Sequence, residues 1–178
     1  MDEHYINEVN EEYLAGVSGR DAWPISEAIF ERPVSDLKKR PWLAVPSATT
    51  VKDAAKQMVA KGIGSCLATH DGRLAGILTE RDLVNQMVNN PFDPNETPVE
   101  QIMHTKVVTV MPDATVAYAI HRMSSGGYRH LPIIDRENRP VGVVSVRDIA
   151  DYLAVLFPHK ILNQPPDPTK IPATREGG

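Results

Sequence analysis

The sequence predicts a mixed α/β (α+β) fold built from two βαββα units packed as a pseudo-symmetric pair, and three observations carry this expectation. Residues 33–70 align with 98–135 at a constant offset of 65, matching Pro33 with Pro98, Val45 with Val110, Thr50-Val51 with Thr115-Val116 and Gly62 with Gly127. One inserted residue later, the register pairs Gly76 with Gly142 and Arg81-Asp82 with Arg147-Asp148. The identities fall at caps, turns and apolar positions, as they do when one supersecondary unit is built twice.

Each unit opens with a β-branched run, Leu43 to Val45 and Val107 to Val110, which predicts a short strand. A Pro/Ser/Asp/Thr cluster then starts a helix, over about 50–61 and 114–125, and glycine ends it at Gly62 or at Gly126-Gly127. Two further apolar runs follow in each copy, Ser65 to Thr69 with Leu74 to Leu78, and His130 to Ile134 with Val141 to Val144. Their links, His70 to Arg73 and Asp135 to Pro140, carry hairpin chemistry.

A second helix closes each unit, from Glu80 to Asn89 and from Val146 to Leu156. Leu83, Val84, Met87 and Val88 share one stripe of the first closing helix at core spacing. The last helix carries Ile149, Ala150, Leu153, Leu156 and Phe157, widened by Tyr152 and Val155. That is more apolar surface than one sheet face needs, so it predicts a homo-oligomer contact. The resulting division is an N-terminal segment 1–32, a first unit 33–91, a turn-rich linker 91–97, a second unit 98–157 and a proline-rich tail 158–178 expected to be extended or disordered.

Composition narrows the functional classes. A formal net charge of -4 over 178 residues offers no general attraction to nucleic acid or anionic lipid. The run Lys38-Lys39-Arg40 reads as a solvated loop. No apolar run reaches the roughly 20 residues of a bilayer span and the opening residues are acidic, so the expected location is the cytoplasm. The single cysteine, Cys66, lies in an apolar stretch and is expected to be a buried, inert thiol. The six histidines are scattered, and no phosphate loop, nucleophile elbow or metal-binding pair is present. No enzymatic activity is expected.

The chemistry-bearing motif occurs twice, as GILTERDL at Gly76 to Leu83 and GVVSVRDI at Gly142 to Ile149. Thr79 and Ser145 stand where a strand hands over to a helix, with Asp82 and Asp148 three residues on, a helix-capping pattern. Capping leaves Arg81 and Arg147 unexplained, because a cation in the first helical turn opposes the macrodipole. An anionic ligand at the helix N-terminus offsets that cost, and the aspartate can accept hydrogen bonds from ribose hydroxyls. In the second copy Gly127-Tyr128-Arg129-His130-Leu131-Pro132 adds Arg129 and His130, the latter protonated or neutral with pH. The first copy has Gly64 and Ser65 at those positions, so the second cleft is expected to be the tighter one for a phosphorylated ligand.

The doubled unit, the two G-h-h-[ST]-x-x-D motifs and YRHLPIID together resemble the tandem CBS domain pair, or Bateman module, over about residues 33–157. The resemblance implies two clefts for AMP, ADP, ATP or a related adenosine ligand, and a disc-like homodimer. It implies ribose on Asp82 and Asp148, ribose or phosphate contacts from Thr79 and Ser145, and phosphate contacts from Arg81, Arg147, Arg129 and His130. Val108 would lie along the adenine, and Pro132 falls in the same ligand-facing cluster. Pro41 and Trp42 would stand near the mouth of the first copy's cleft. No cofactor is required on this reading, the nucleotide is a regulatory ligand, and the signal passes to an effector protein in trans. The rival reading is a ligand-free dimerisation or protein-interaction module.

Overall fold

The computed structural model describes residues 28–37 and 40–156. The expectations for the N-terminal residues, the tail and Phe157 lie outside the described residues. The first unit comprises β1 (Ala44–Pro46), α2 (Val51–Lys61), β2 (Ser65–His70), β3 (Arg73–Thr79) and α3 (Glu80–Asn89), preceded by a one-turn helix α1 (Ala28–Glu31). The second comprises α4 (Val116–Gly126), β4 (His130–Ile134), β5 (Pro140–Ser145) and α5 (Val146–Leu156). Among the described residues no helix is long and apolar enough to cross a membrane.

The predicted signals act as expected at most element ends. Thr50 and Thr115 cap α2 and α4 by accepting from the backbone N–H three residues on, and Gly62 and Gly127 end them at φ 61° and 67°. Asp71 and Gly72 both take positive φ, 49° and 76°, the conformation of a two-residue turn that matches strand twist. In the longer second hairpin Asp135 Oδ1 accepts from the backbone of Glu137 and Arg139.

The first sheet has the order β1-β2-β3, with β1 parallel and β3 antiparallel to β2. The second keeps only β4-β5, and the expected strand Val107 to Val110 is reduced to a single parallel bridge, Val110 to Ile133. Two prolines are the cause: Pro132 removes the bond at the near end, and at the far end Pro112 lacks the N–H that its counterpart Ser47 donates to Thr69 O at 2.8 Å. In the first unit Leu67 N donates to Leu43 O at 2.8 Å, and the equivalent donor in the second unit would be the N–H that Pro132 lacks. The ladder keeps only the two bonds that follow it, Val110 N to Pro132 O and Ile134 N to Val110 O, both 3.0 Å.

The segment leading into each repeat belongs to the other repeat's core. Val34 and Leu37 pack with Val110, Val116, Met123, Leu131 and Val144, whereas Val99 and Ile102 pack with Val45, Val51, Met58 and Leu78. The backbone repeats this exchange residue for residue. Val34 N donates to Ala114 O and Val116 N to Arg32 O, and Val99 N donates to Thr49 O and Val51 N to Thr97 O, all at 2.8–2.9 Å. Sequence repeat and packing unit therefore differ by one exchanged segment, which ties the halves together around a pseudo-twofold relation.

Asp82 is the only buried residue of α3, and Val84, Met87 and Val88 of the stripe read as core spacing are 60–74% exposed. Helical spacing identifies a common face without saying what covers it. Cys66 is buried in β2, and desolvation pushes its thiol up to about 11, so it stays protonated and unreactive at neutral pH.

Candidate functional site

The two strand-to-helix junctions face a cavity of about 770 Å³ between the repeats. At the first, the Thr79 hydroxyl donates to Asp82 Oδ2 at 2.7 Å and accepts from the Asp82 N–H at 3.4 Å, while Thr79 N donates to the same Oδ2 at 2.8 Å. At the second, Ser145 makes the same three bonds with Asp148, at 2.5 Å, 3.3 Å and 2.7 Å. These reciprocal bonds satisfy helix N-terminal donors and hold both carboxylates 7% exposed, with Oδ2 committed to the cap. Only Oδ1 is left for other chemistry.

The opposite repeat reaches each Oδ1. His104 Nε2 lies 2.8 Å from Asp82 Oδ1, and because a carboxylate only accepts, this ring nitrogen carries the hydrogen. Asp148 Oδ1 faces Arg40 Nε at 3.3 Å without hydrogen-bond alignment, and both atoms are buried with no hydrogen-bond partner among the described residues. The far end of the Arg40 guanidinium pairs with Asp151. Sequence reading missed Arg40 and His104 as site residues, since their partners are remote in the chain and no local pattern links them.

Thr79, Arg81, Asp82, Val108, Arg129, His130, Ser145, Arg147 and Asp148 all line the cavity. Pro132 does not: it is fully buried within β4, and its contribution is to the sheet. Trp42 lines the cavity and also a small adjoining pocket with Arg40, Val143 and Asp148. It therefore stands beside the second repeat's carboxylate, where the sequence placed it at the first repeat's cleft.

The lining holds five Lys or Arg side chains, Arg40, Lys106, Arg81, Arg129 and Arg147, against the carboxylates of Glu80, Asp82 and Asp148. Arg81, Arg129 and Arg147 form no ion pair among the described residues, which leaves cationic groups at two helix N-termini. Burial and the neighbouring Arg129 hold the His130 imidazole below its ordinary value, against the opposing pull of Asp148 and Glu80. Burial and Arg129 both favour the neutral, hydrogen-bonding form of the ring.

The sequence profile of the CBS domain matches residues 34–89 and again 99–155. The chain belongs to the CBS-domain family. It is a tandem CBS pair, 33% identical over 124 residues to the CBS domain-containing protein CBSCBSPB5 of Arabidopsis thaliana; the match takes in 69% of this chain but 22% of that protein. The chain thus spans about a fifth of the length of such plant relatives.

Solved CBS pairs share the fold. A CBS domain protein of Pyrobaculum aerophilum, crystallised with AMP, is 26% identical with a TM-score of 0.62, covering 71% of this chain and 96% of that one. The CBS domain pair of protein MJ0100, in complex with 5-methylthioadenosine and S-adenosyl-L-methionine, matches at 26% identity and TM-score 0.62, covering 70% and 97%.

Proposed function

We propose that this CBS pair is a regulatory module that binds an adenosine nucleotide of the AMP, ADP or ATP class between its two repeats and signals to an effector protein in trans. One observation carries the reading. Asp148 Oδ1 is a buried acceptor with no hydrogen-bond partner among the described residues, set at a helix N-terminus in a cavity rich in arginine. Leaving such an atom unsatisfied is costly, and a ribose hydroxyl donates the missing bond. The phosphates then meet Arg147, Arg129 and Arg81, and the base runs along Val108 and Trp42. The AMP and S-adenosyl-L-methionine complexes of the two related CBS pairs support an adenosine ligand.

Signalling on this reading is a population shift: a ligand held between the repeats favours one relative packing of the two halves, and the effector binds that packing better. The exposed apolar residues of α3 and α5 support a homodimer formed through the closing helices.

Calorimetry with AMP, ADP, ATP and S-adenosyl-L-methionine tests the ligand class. At least one is expected to bind, and Asp148→Ala is expected to weaken it tenfold or more. Failure of all four to bind would overturn the reading and favour the interaction module.

A further inference from the structure

We propose that His104 is an intramolecular occupant of the first repeat's carboxylate, so that the two clefts fill in order, the second before the first. The inference rests on the nucleotide reading above and adds a gate to one of its two sites.

Both aspartates spend Oδ2 on the helix cap, so the clefts differ at Oδ1. In the second cleft Asp148 Oδ1 and Arg40 Nε form a buried ion pair at 3.3 Å that lacks hydrogen-bond alignment, so neither atom has a hydrogen-bond partner among the described residues. A hydroxyl is donor and acceptor at once, so one ligand hydroxyl can donate to Asp148 and accept from Arg40, satisfying two stranded atoms together. Arg40 is thereby a positioning residue contributed by the opposite repeat. In the first cleft Asp82 Oδ1 already accepts from His104 at 2.8 Å. A ligand hydroxyl arriving there must displace a formed hydrogen bond to a charged group, which weakens binding roughly ten- to a hundredfold relative to an acceptor whose hydrogen bond is still unmade.

The gate can open without unfolding anything. The His104 side chain is 69% exposed, and its backbone is fixed independently by Ile77 N donating to His104 O at 3.0 Å and His104 N donating to Ile77 O at 2.9 Å. Rotation of the ring alone uncovers Asp82. Because His104 belongs to the second repeat's lead-in while Asp82 belongs to the first repeat, filling the first cleft releases a contact that joins the halves.

Calorimetry with AMP, ADP, ATP and S-adenosyl-L-methionine on the full chain, comparing wild type, His104→Ala and Asp148→Ala, tests the order. Wild type is expected to show a tight step, lost in Asp148→Ala, and a second step at least tenfold weaker or too weak to see. His104→Ala is expected to strengthen the weaker step about tenfold or to make it visible. Binding with a second step unchanged or weakened in His104→Ala overturns the gate and leaves the nucleotide reading standing; no binding of any of the four ligands to wild type or variant overturns both. A ligand-free readout is independent of AMP: Asp82→Asn should shift the His104 imidazole proton resonances, and unmoved resonances would refute the contact on which the gate depends.

Discussion

A Cβ placed on Gly76 would lie 2.8 Å from the carbonyl oxygen of His104, closer than a side-chain carbon approaches a backbone atom. The second repeat's lead-in runs directly over this glycine of β3, with the Met103 side chain also against it. The matching glycine of β5, Gly142, meets only the Ile133 side chain, at 3.4 Å. One repeated glycine therefore has two different reasons to be small.

Gly76→Ala and Gly142→Ala should separate these reasons. Gly76→Ala pushes on backbone that the Ile77–His104 bonds hold in place, and is expected to cost about 1–3 kcal/mol. Gly142→Ala meets a movable methyl group and gains from a stiffer unfolded chain, so it should stay within about 1 kcal/mol of wild type. Urea unfolding of the two variants checks the difference. Equal losses would mean that the lead-in does not press on β3 as described.

Pro132 makes a sharper prediction about hydrogen bonding. Pro132→Ala restores the N–H that its counterpart Leu67 uses on Leu43, and the new amide should donate to Val108 O and exchange slowly with solvent. The lost ring methylenes cost about 1–2 kcal/mol and the gained bond returns about 1, so net stability should move by no more than about 1 kcal/mol. An alanine amide at 132 that exchanges at the rate of an open loop would show that something other than the missing donor shortens this strand.

These cases show what the sequence could and could not reveal. Caps, glycine stops and hairpin turns are local, so both repeats, their helices and the Thr79–Asp82 and Ser145–Asp148 pairs were legible from residues a few positions apart. The exchange of lead-ins was not, because Val34 and Val99 are apolar residues whose patterns read identically whichever core receives them. Arg40 is 111 positions from Asp151, a separation that leaves no periodic trace. Val107 to Val110 has strand composition, but the missing donor lies on its partner strand.

The His130 ring gives stability a signed dependence on pH. Its proton affinity is lowered in the fold by burial and by Arg129, with Asp148 and Glu80 pulling the other way. The unfolded chain therefore takes up the proton first as pH falls below about 6.5, and folding loses stability through that window down to the folded value. Above it the ring is neutral in both states and contributes no pH dependence. His130→Asn removes the titration, so the drop in urea midpoint between pH 8 and pH 5 should be smaller in the variant than in wild type. Identical drops would mean that the half-buried ring is not what resists protonation.

The apolar stripe on α3 sets the last expectation. Val84, Met87 and Val88 are 60–74% exposed, and Val155 and Leu156 on α5 are 76% and 38% exposed. Five such exposed apolar side chains on the two closing helices suit a self-complementary contact with a second copy, because a twofold interface places the same face on both partners. Burying a Val or Leu side chain is worth about 1.5–3 kcal/mol, so a few pairs can offset the association entropy that a dimer must overcome. Val84→Glu with Val88→Glu puts unpaired charge into that contact and should weaken the dimer at least tenfold, leaving the helical circular dichroism unchanged, since both positions are exposed in the single chain. Sedimentation velocity across micromolar concentrations reads the result directly. A wild-type chain that stays monomeric throughout that range would remove the closing helices as the interface.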